Sequence, residues 1–292
     1  MEKKTKLWSS LSVATLIGAG VLGGCDTGQQ AAVPPGQQQP AQQQPAQQQQ
    51  TEQPVEAPQP AADDHSAHQS GGGEGEGLAT DVDPATDDAA FLTQLGLIRG
   101  HLWVGMELFR AGHLDQARTH AKHPEDELYA DLKPAFAARG LEAIDAELGA
   151  LAQAVDQGAD GDTVEAAYEA LLAALSRAED ATQASPAVWL QATVNLVRTA
   201  GVEYELAVDE NGLVVNAHEY QDALGFVKIA DQITARQQGD HGVEAAVAEI
   251  RPLIDALYPA WPELVPPEQV EFTPAQLYGA AARIELAVRE LD

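Results

Sequence analysis

The sequence has little of two kinds of residue that often carry protein chemistry, thiols and cations. It has one cysteine, Cys25, in 292 residues, and 16 Lys and Arg against 45 Asp and Glu, for a formal net charge of −29. A single cysteine excludes an intramolecular disulfide and a multi-thiolate metal site. Nucleic-acid binding is not expected, because a phosphate-binding face needs clustered cations. The excess of acid favours soluble cations as partners over anionic substrates.

The N-terminus has the layout of a secretory signal. Lysines lie within the first six residues, and the run from Leu7 to Gly24 is apolar or small and without charge. As a membrane-spanning helix this run would be marginal in length. Its end, Leu22-Gly23-Gly24-Cys25, resembles the lipobox of bacterial lipoproteins. The resemblance implies that residues 1–24 are a signal peptide and that Cys25 becomes a lipidated, palmitate-bearing first residue.

The lipobox resemblance also implies a location. A lipidated Cys25 would anchor the protein to a bacterial membrane, facing the periplasm or the cell exterior. Asp26 directly follows the cysteine, which resembles an inner-membrane retention signal of some Gram-negative sorting systems and favours that membrane. If Cys25 carries lipid, no thiol remains for catalysis or metal binding, and the fold must be held together by packing.

The segment 25–88 lacks apolar periodicity. After Cys25, repeated Gln-Gln-Gln-Pro-Ala units give way to acidic residues and glycines. Such a composition cannot bury enough apolar surface to fold. We therefore expect a disordered tether between the lipid anchor and a folded domain at 89–292.

The domain at 89–292 is predicted to be all-α. Its apolar residues recur at three- and four-residue steps, and the breaks fall at glycines, prolines and Asp/Asn-rich turns. No strand is predicted, and antiparallel helical hairpins packed as a bundle are expected. The predicted helices are 89–111, 114–122, 125–139, 141–157, 162–183, 186–208, 213–238, 241–258 and 274–291.

The helix predicted at 213–238 has three ionisable residues inside its apolar sector, His218, Glu219 and Asp222, and two of them lie one helical turn apart. His218 and Asp222 share this sector with Val215 and Phe226, whereas Gln221 lies on the opposite, polar side. His218 and Asp222 are four apart, so their side chains project from one face, a spacing that helical metal sites use. A buried unpaired charge would be costly, so both residues need partners.

Glu203 is a candidate partner for this helix. It lies on the apolar side of the helix predicted at 186–208, which a short turn connects to the next helix. The two helices should therefore pack antiparallel, and residues equidistant from the turn, such as Glu203 and His218, should meet.

The first hairpin also carries inward histidines. His101 lies on an apolar side of its helix, and the turn at Gly112 should bring it opposite His120 and His123. His123 would point outward on a regular helix, but Pro124 is expected to end the helix before it.

These polar positions predict a metal site between helices. Imidazole and carboxylate ligands together suit iron, copper or zinc. Alternatively, Glu203 and His218 form a structural hydrogen-bonded pair, and His101 is a satisfied core histidine. The paired Glu-x-x-His signature, the His-Glu-x-x-His motif and the common nucleophile motifs are absent, which favours a binding protein over an enzyme. The candidate ligands, all or in part, are His101, His120, His123, Glu203, His218 and Asp222.

A second resemblance points to iron. Gly100-His101 followed by Glu107 looks like a degraded form of the Gly-x-His-x-x-Glu helix of imelysin-like proteins of bacterial iron uptake. Here the acid follows the histidine by six residues instead of three and falls on another face of the helix. Only Gly100 and His101 carry over, and for them the resemblance implies an iron-binding role.

A different class of function is also open. The stretch from Val104 to Ala121 resembles one tetratricopeptide helix-turn-helix, with Gly112 at its turn. Such repeats need about three units to bury their faces, and no recurrence follows. The alternative is a tethered, metal-free module that binds an envelope protein through a helical groove.

Overall fold

The computed structural model describes residues 82–291. The predicted signal, the lipobox at Cys25 and nearly all of the predicted tether lie outside this range. Within the range the chain is helical, and extended pairing is limited to two isolated β-bridges, Val208–Val214 and Leu213–Gln269. The predicted all-α class is confirmed.

Nine α-helices make up the described part of the chain. A π-helical segment, Pro124–Tyr129, connects α2 to α3, and a 3-10 turn, Tyr258–Ala260, follows α8. The helices are α1 (Asp88–Arg110), α2 (Leu114–His123), α3 (Ala130–Ala138), α4 (Asp145–Asp156), α5 (Gly161–Thr182), α6 (Pro186–Ala207), α7 (Ala217–Arg236), α8 (Glu244–Asp255) and α9 (Pro274–Arg289).

Helix α7 begins later than its periodicity predicts. The chain first forms the Val208–Val214 bridge, and Asn216 then caps the helix by accepting a hydrogen bond from the His218 N–H at 3.0 Å. Val215 was predicted to face the core from this helix, and that prediction is wrong. It precedes the helix and is 65% exposed.

Helix α2 ends directly before Pro124, as predicted, but the prediction that the helix stops before His123 is wrong. His123 has helical backbone angles, φ −49° and ψ −46°, and the chain continues through the π-helical segment into α3. A proline inside an α-helix removes one hydrogen bond and crowds the carbonyl one turn earlier. The wider π turn accommodates the ring, so His123 stays on a continuous helical path.

Helix α7 lies at the centre of the bundle. It packs against α6, α1 and α8, while α9 packs on α6 and α8. The α1–α2 hairpin packs through α1 onto α6 and α7, and α4 and α5 lie against α2 and α1. The hairpin α1–α2 and the hairpin α6–α7 therefore meet along α1 and α7.

A pair of glycines sets how closely α1 and α7 approach. A Cβ atom added at Gly225 would lie 2.6 Å from the carbonyl oxygen of Gly100, and one added at Gly100 would lie 2.6 Å from Cδ1 of Phe226. The backbones thus nearly touch, which only residues without a Cβ permit. His101 follows the first glycine directly, so this crossing brings its side chain to α7.

None of the helices in residues 82–291 combines the length and apolarity needed to cross a bilayer.

Candidate metal centre

Four side chains from three helices converge where α1 meets α7. His101 comes from α1, His120 from α2, and His218 and Asp222 from the first turns of α7. One ligand atom from each lies within 4.8 Å of the others. His101, His120 and Asp222 are fully buried, and the His218 side chain is 19% exposed.

Asp222 lies at the centre of this group. Its Oδ1 is 2.7 Å from Nδ1 of His101 and 3.0 Å from Nδ1 of His120, and its Oδ2 is 3.1 Å from Nε2 of His218. His123, half-buried at the end of α2, places its Nδ1 3.1 Å from the same Nε2 of His218. We call these five residues the histidine cluster.

The imidazole rings of the cluster lie against one another. Ring centroids are 4.2 Å apart for His120 and His218, 4.8 Å for His101 and His123, and 6.2 Å for His101 and His218. The edge of the Phe226 ring contacts His101 at a centroid distance of 5.2 Å. The two hairpins of the prediction therefore meet, and their histidines form one cluster.

The spacing of the ligand atoms fits a first-row metal ion. Nitrogen and oxygen ligands bind such ions at about 2.0–2.2 Å, so neighbouring ligand atoms on one ion lie roughly 3 Å apart. The 2.7–3.1 Å separations around Asp222 are of this size. The cluster could hold one ion with small side-chain adjustments.

The electrostatics of the cluster leave Asp222 ionised and His218 neutral at pH 7. Burial raises the pKa of Asp222, but attraction to His101 and His120 outweighs burial and holds this pKa well below its usual range. Burial lowers the pKa of His218 to about 3; Asp222 opposes this shift, and the other histidines of the cluster add to it. Among residues 82–291, each ion-pair partner of Asp222 is a histidine. A positive charge must therefore come from a protonated imidazole or from a bound cation.

Gln221 belongs to the surroundings of the cluster, although its position on the helical wheel predicts a solvent-facing side chain. It is 1% exposed, and its Oε1 lies 3.0 Å from Nε2 of His120. The wheel misplaced it because α7 is covered on several sides, here by the segment that follows α8. The sequence signal that could have identified Gln221 is that it is polar, uncharged and directly precedes the candidate ligand Asp222.

Glu203, the sixth predicted ligand, is buried on α6 but is not among the four described residues whose ligand atoms lie within 4.8 Å. The pKa of Tyr278, a residue of α9, is raised first by burial, then by its hydrogen bond to Glu205, and then by the negative charges of Glu205 and Glu203. Glu203 therefore lies near α9. Its pairing with His218 stays a prediction.

Two further ionisable residues of the α1–α2 hairpin lie outside the cluster. Glu107 forms an ion pair with Arg110 at 2.7 Å, and that arginine also binds Glu165 at the partly exposed side of α1. His113 is exposed in the turn before α2. Neither is one of the four close ligand residues.

Comparison with known families gives a match to the C-terminal helices. Residues 178–291 match the model of the iron permease-associated 4-helix bundle domain. The match includes α6 to α9, and with them His218 and Asp222, whereas His101, His120 and His123 precede it. No curated protein and no solved structure matches the chain. The C-terminal part of this protein is thus similar to a helical domain associated with iron permeases.

Proposed function

We propose that this protein is a membrane-tethered, extracytoplasmic protein that binds a transition-metal ion, iron in the first place, in the histidine cluster. His101, His120, His218 and Asp222 supply the ligands, with His123 beside them. The observation that carries the proposal is the buried carboxylate of Asp222 with imidazole nitrogens from three helices at 2.7–3.1 Å.

The choice of iron depends on the comparison as well as the ligands. Imidazole and carboxylate together suit iron, copper and zinc, so the ligand set alone does not select one. The match to an iron permease-associated domain favours iron. The ion is then cargo, and an iron-uptake permease is the expected partner.

The proposed location depends on the sequence. Cys25 lies at the end of a signal-like run, and the Gln- and Pro-rich segment behind it would let the domain move while its anchor stays in the membrane. A tethered domain of this kind could collect metal outside the cytoplasm and pass it to a membrane protein.

The test is metal binding by the full-length chain in detergent. Elemental analysis after separate loading with Fe(II), Cu(II) or Zn(II) should give one ion per chain; Cu(II) should bind most tightly, because the affinity of such ligands rises from Fe(II) to Cu(II). We expect His218→Ala to lose this ion. The matched control His113→Ala removes an exposed histidine and should retain the ion.

A different result would favour the alternative function. If the full chain binds none of these ions, or if His218→Ala binds as the native chain does, the cluster is a structural network of histidines around Asp222. The metal-free interaction module then becomes the better hypothesis, and a retained envelope partner would be its test.

A further inference from the structure

Gln221 contacts two groups that are far apart in the sequence. Its Oε1 lies 3.0 Å from Nε2 of His120, and its Nε2 donates a hydrogen bond to the carbonyl oxygen of Leu264 at 3.1 Å. The side chain is 1% exposed, so water does not compete for either contact. Gln221 therefore links a cluster histidine to the segment after α8.

The Leu264 segment is fixed to α7 by other hydrogen bonds. The Tyr220 hydroxyl donates to the carbonyl oxygen of Ala260 at 2.9 Å, and Nε1 of Trp261 donates to the carbonyl oxygen of Tyr220 at 2.8 Å. These bonds hold the carbonyl oxygen of Leu264 in position as a hydrogen-bond acceptor beside Gln221.

These contacts decide the orientation of the Gln221 amide. A backbone carbonyl can only accept a hydrogen bond, so the NH₂ group of the amide must face Leu264 and its oxygen must face His120. That oxygen is also only an acceptor. Nε2 of His120 must therefore carry the proton, and in the neutral ring Nδ1 then has a free lone pair.

This lone pair is directed at another acceptor. Nδ1 of His120 is 3.0 Å from Oδ1 of Asp222. In the described part of the chain, neither this nitrogen nor either carboxylate oxygen has a hydrogen-bond partner of regular geometry. Two facing acceptors repel each other unless a cation lies between them or a second proton charges the ring.

We propose that Gln221 is a positioning residue for metal binding. By accepting the Nε2 proton, it holds His120 in the tautomer whose Nδ1 can bind an ion together with Asp222. This inference rests on the proposed function and adds to it a residue outside the ligand set. Such outer hydrogen bonds fix ring orientation, and their loss typically weakens metal binding 10- to 100-fold.

The test compares two substitutions in the full-length chain. Gln221→Met is similar in length but has no acceptor, and we expect it to weaken Fe(II) binding about 10- to 100-fold. Gln221→Glu keeps an acceptor for His120 but loses the hydrogen bond to the Leu264 carbonyl, so it should bind Fe(II) more tightly than Gln221→Met even if the chain is less stable. The control is Asn195→Leu, which removes another buried amide, bonded to Thr93 and not to the cluster, and should leave the affinity unchanged.

A second readout does not depend on metal. Nitrogen NMR of chain labelled with ¹⁵N-histidine, metal-free at pH 7.5, should show Nε2 of His120 carrying a proton, with His120→Ala identifying the signal. In Gln221→Met the second tautomer should become populated. An unprotonated Nε2 of His120 in the native chain, or an unchanged Fe(II) affinity in Gln221→Met, would overturn the inference. Failure of the native chain to bind any metal would instead overturn the proposed function, while the tautomer still reports on Gln221.

Discussion

Asp222 is the residue on which the cluster depends, because it contacts histidines from α1, α2 and α7 at once. An ionised carboxylate without compensation costs several kcal/mol to bury. His218 does not provide that compensation at neutral pH, since its pKa is lowered to about 3. A bound cation would provide it, and protons taken up by the cluster at low pH would compete with that cation for the same ligand atoms.

The first prediction concerns pH and the metal-free protein. The pKa of His218 is about 3 in the folded chain, and its ordinary value is 6.5. Below pH 6.5 the unfolded chain therefore binds a proton at His218 that the folded chain does not bind. The contribution of His218 to the free energy of unfolding is present above pH 6.5 and is lost as the pH falls toward 3. Between pH 7.5 and 5 this one group should lower the free energy of unfolding by about 2 kcal/mol.

Thermal or urea unfolding in the presence of a chelator checks this prediction. His218→Ala should lose less stability over this interval than the native chain. His113→Ala, which removes an exposed histidine, should keep the native pH dependence. Equal slopes for the native chain and His218→Ala would show that His218 takes up its proton as easily in the folded state as in the unfolded one.

At the scale of helices, α7 shows where periodicity stops being informative. A helix with one buried face reveals that face by its apolar spacing. Helix α7 packs on α1, α6 and α8, so Gln221, on its polar side, is buried as well. Asn195 of α6 behaves in the same way: its wheel position is polar, yet it is 3% exposed and bonds to Thr93.

The second prediction concerns the crossing of α1 and α7. In Gly225→Ala the new Cβ would lie 2.6 Å from the carbonyl oxygen of Gly100, a backbone atom that cannot rotate away. The helices must separate, which should lower the free energy of unfolding by about 1–3 kcal/mol. It should also weaken metal binding, because His101 would move away from Asp222. Chemical unfolding and Fe(II) titration measure the two effects.

Gly279→Ala is the matched control for this crossing. Gly279 lies in α9 with no atom within 4 Å of an added Cβ. The substitution should stabilise the protein by about 0.5–1 kcal/mol, because alanine loses less conformational entropy in a helix, and should leave metal binding unchanged. A Gly225→Ala chain as stable and as metal-competent as this control would contradict the close approach of α1 and α7.

At the scale of the whole molecule, the ligands of one ion come from hairpins that are far apart in the sequence. His101 and His120 precede His218 by 117 and 98 residues, so a bound ion would crosslink the α1–α2 hairpin to α7. Metal binding and global stability should therefore be coupled.

The third prediction measures that coupling. At free Fe(II) one hundred times its Kd, the ion should stabilise the fold by about 2.7 kcal/mol. For a domain of this size that corresponds to a rise of roughly 5–10 °C in Tm, which chelation should reverse. An ion that binds without changing Tm would lie outside the cluster, for example on His65 and His68 of the predicted tether.

The fourth prediction concerns the anchor. If Cys25 is lipidated, the chain should be recovered with membranes, and its mass should include the acyl groups. Cys25→Ser should remove those groups, and the chain should lose the lipid-dependent membrane association. Iron binding by the detergent-solubilised chain should be unchanged, because Cys25 contributes no ligand. A native chain without lipid would refute the anchor and leave the metal site untouched.

The sequence by itself determined the fold class, most helix bounds to within a few residues, and the inward direction of His101, His218 and Asp222. Local chemistry is sufficient for these features, because caps, glycines and apolar spacing act within a few residues along the chain. Only the tertiary structure decided which inward residues meet. The close crossing at Gly100 and Gly225 joins the two hairpins, the π turn at Pro124 keeps His123 on the helical path, and the covering of α7 buries Gln221 beside His120. These features depend on distances between helices, and periodicity within one helix carries no information about its neighbours.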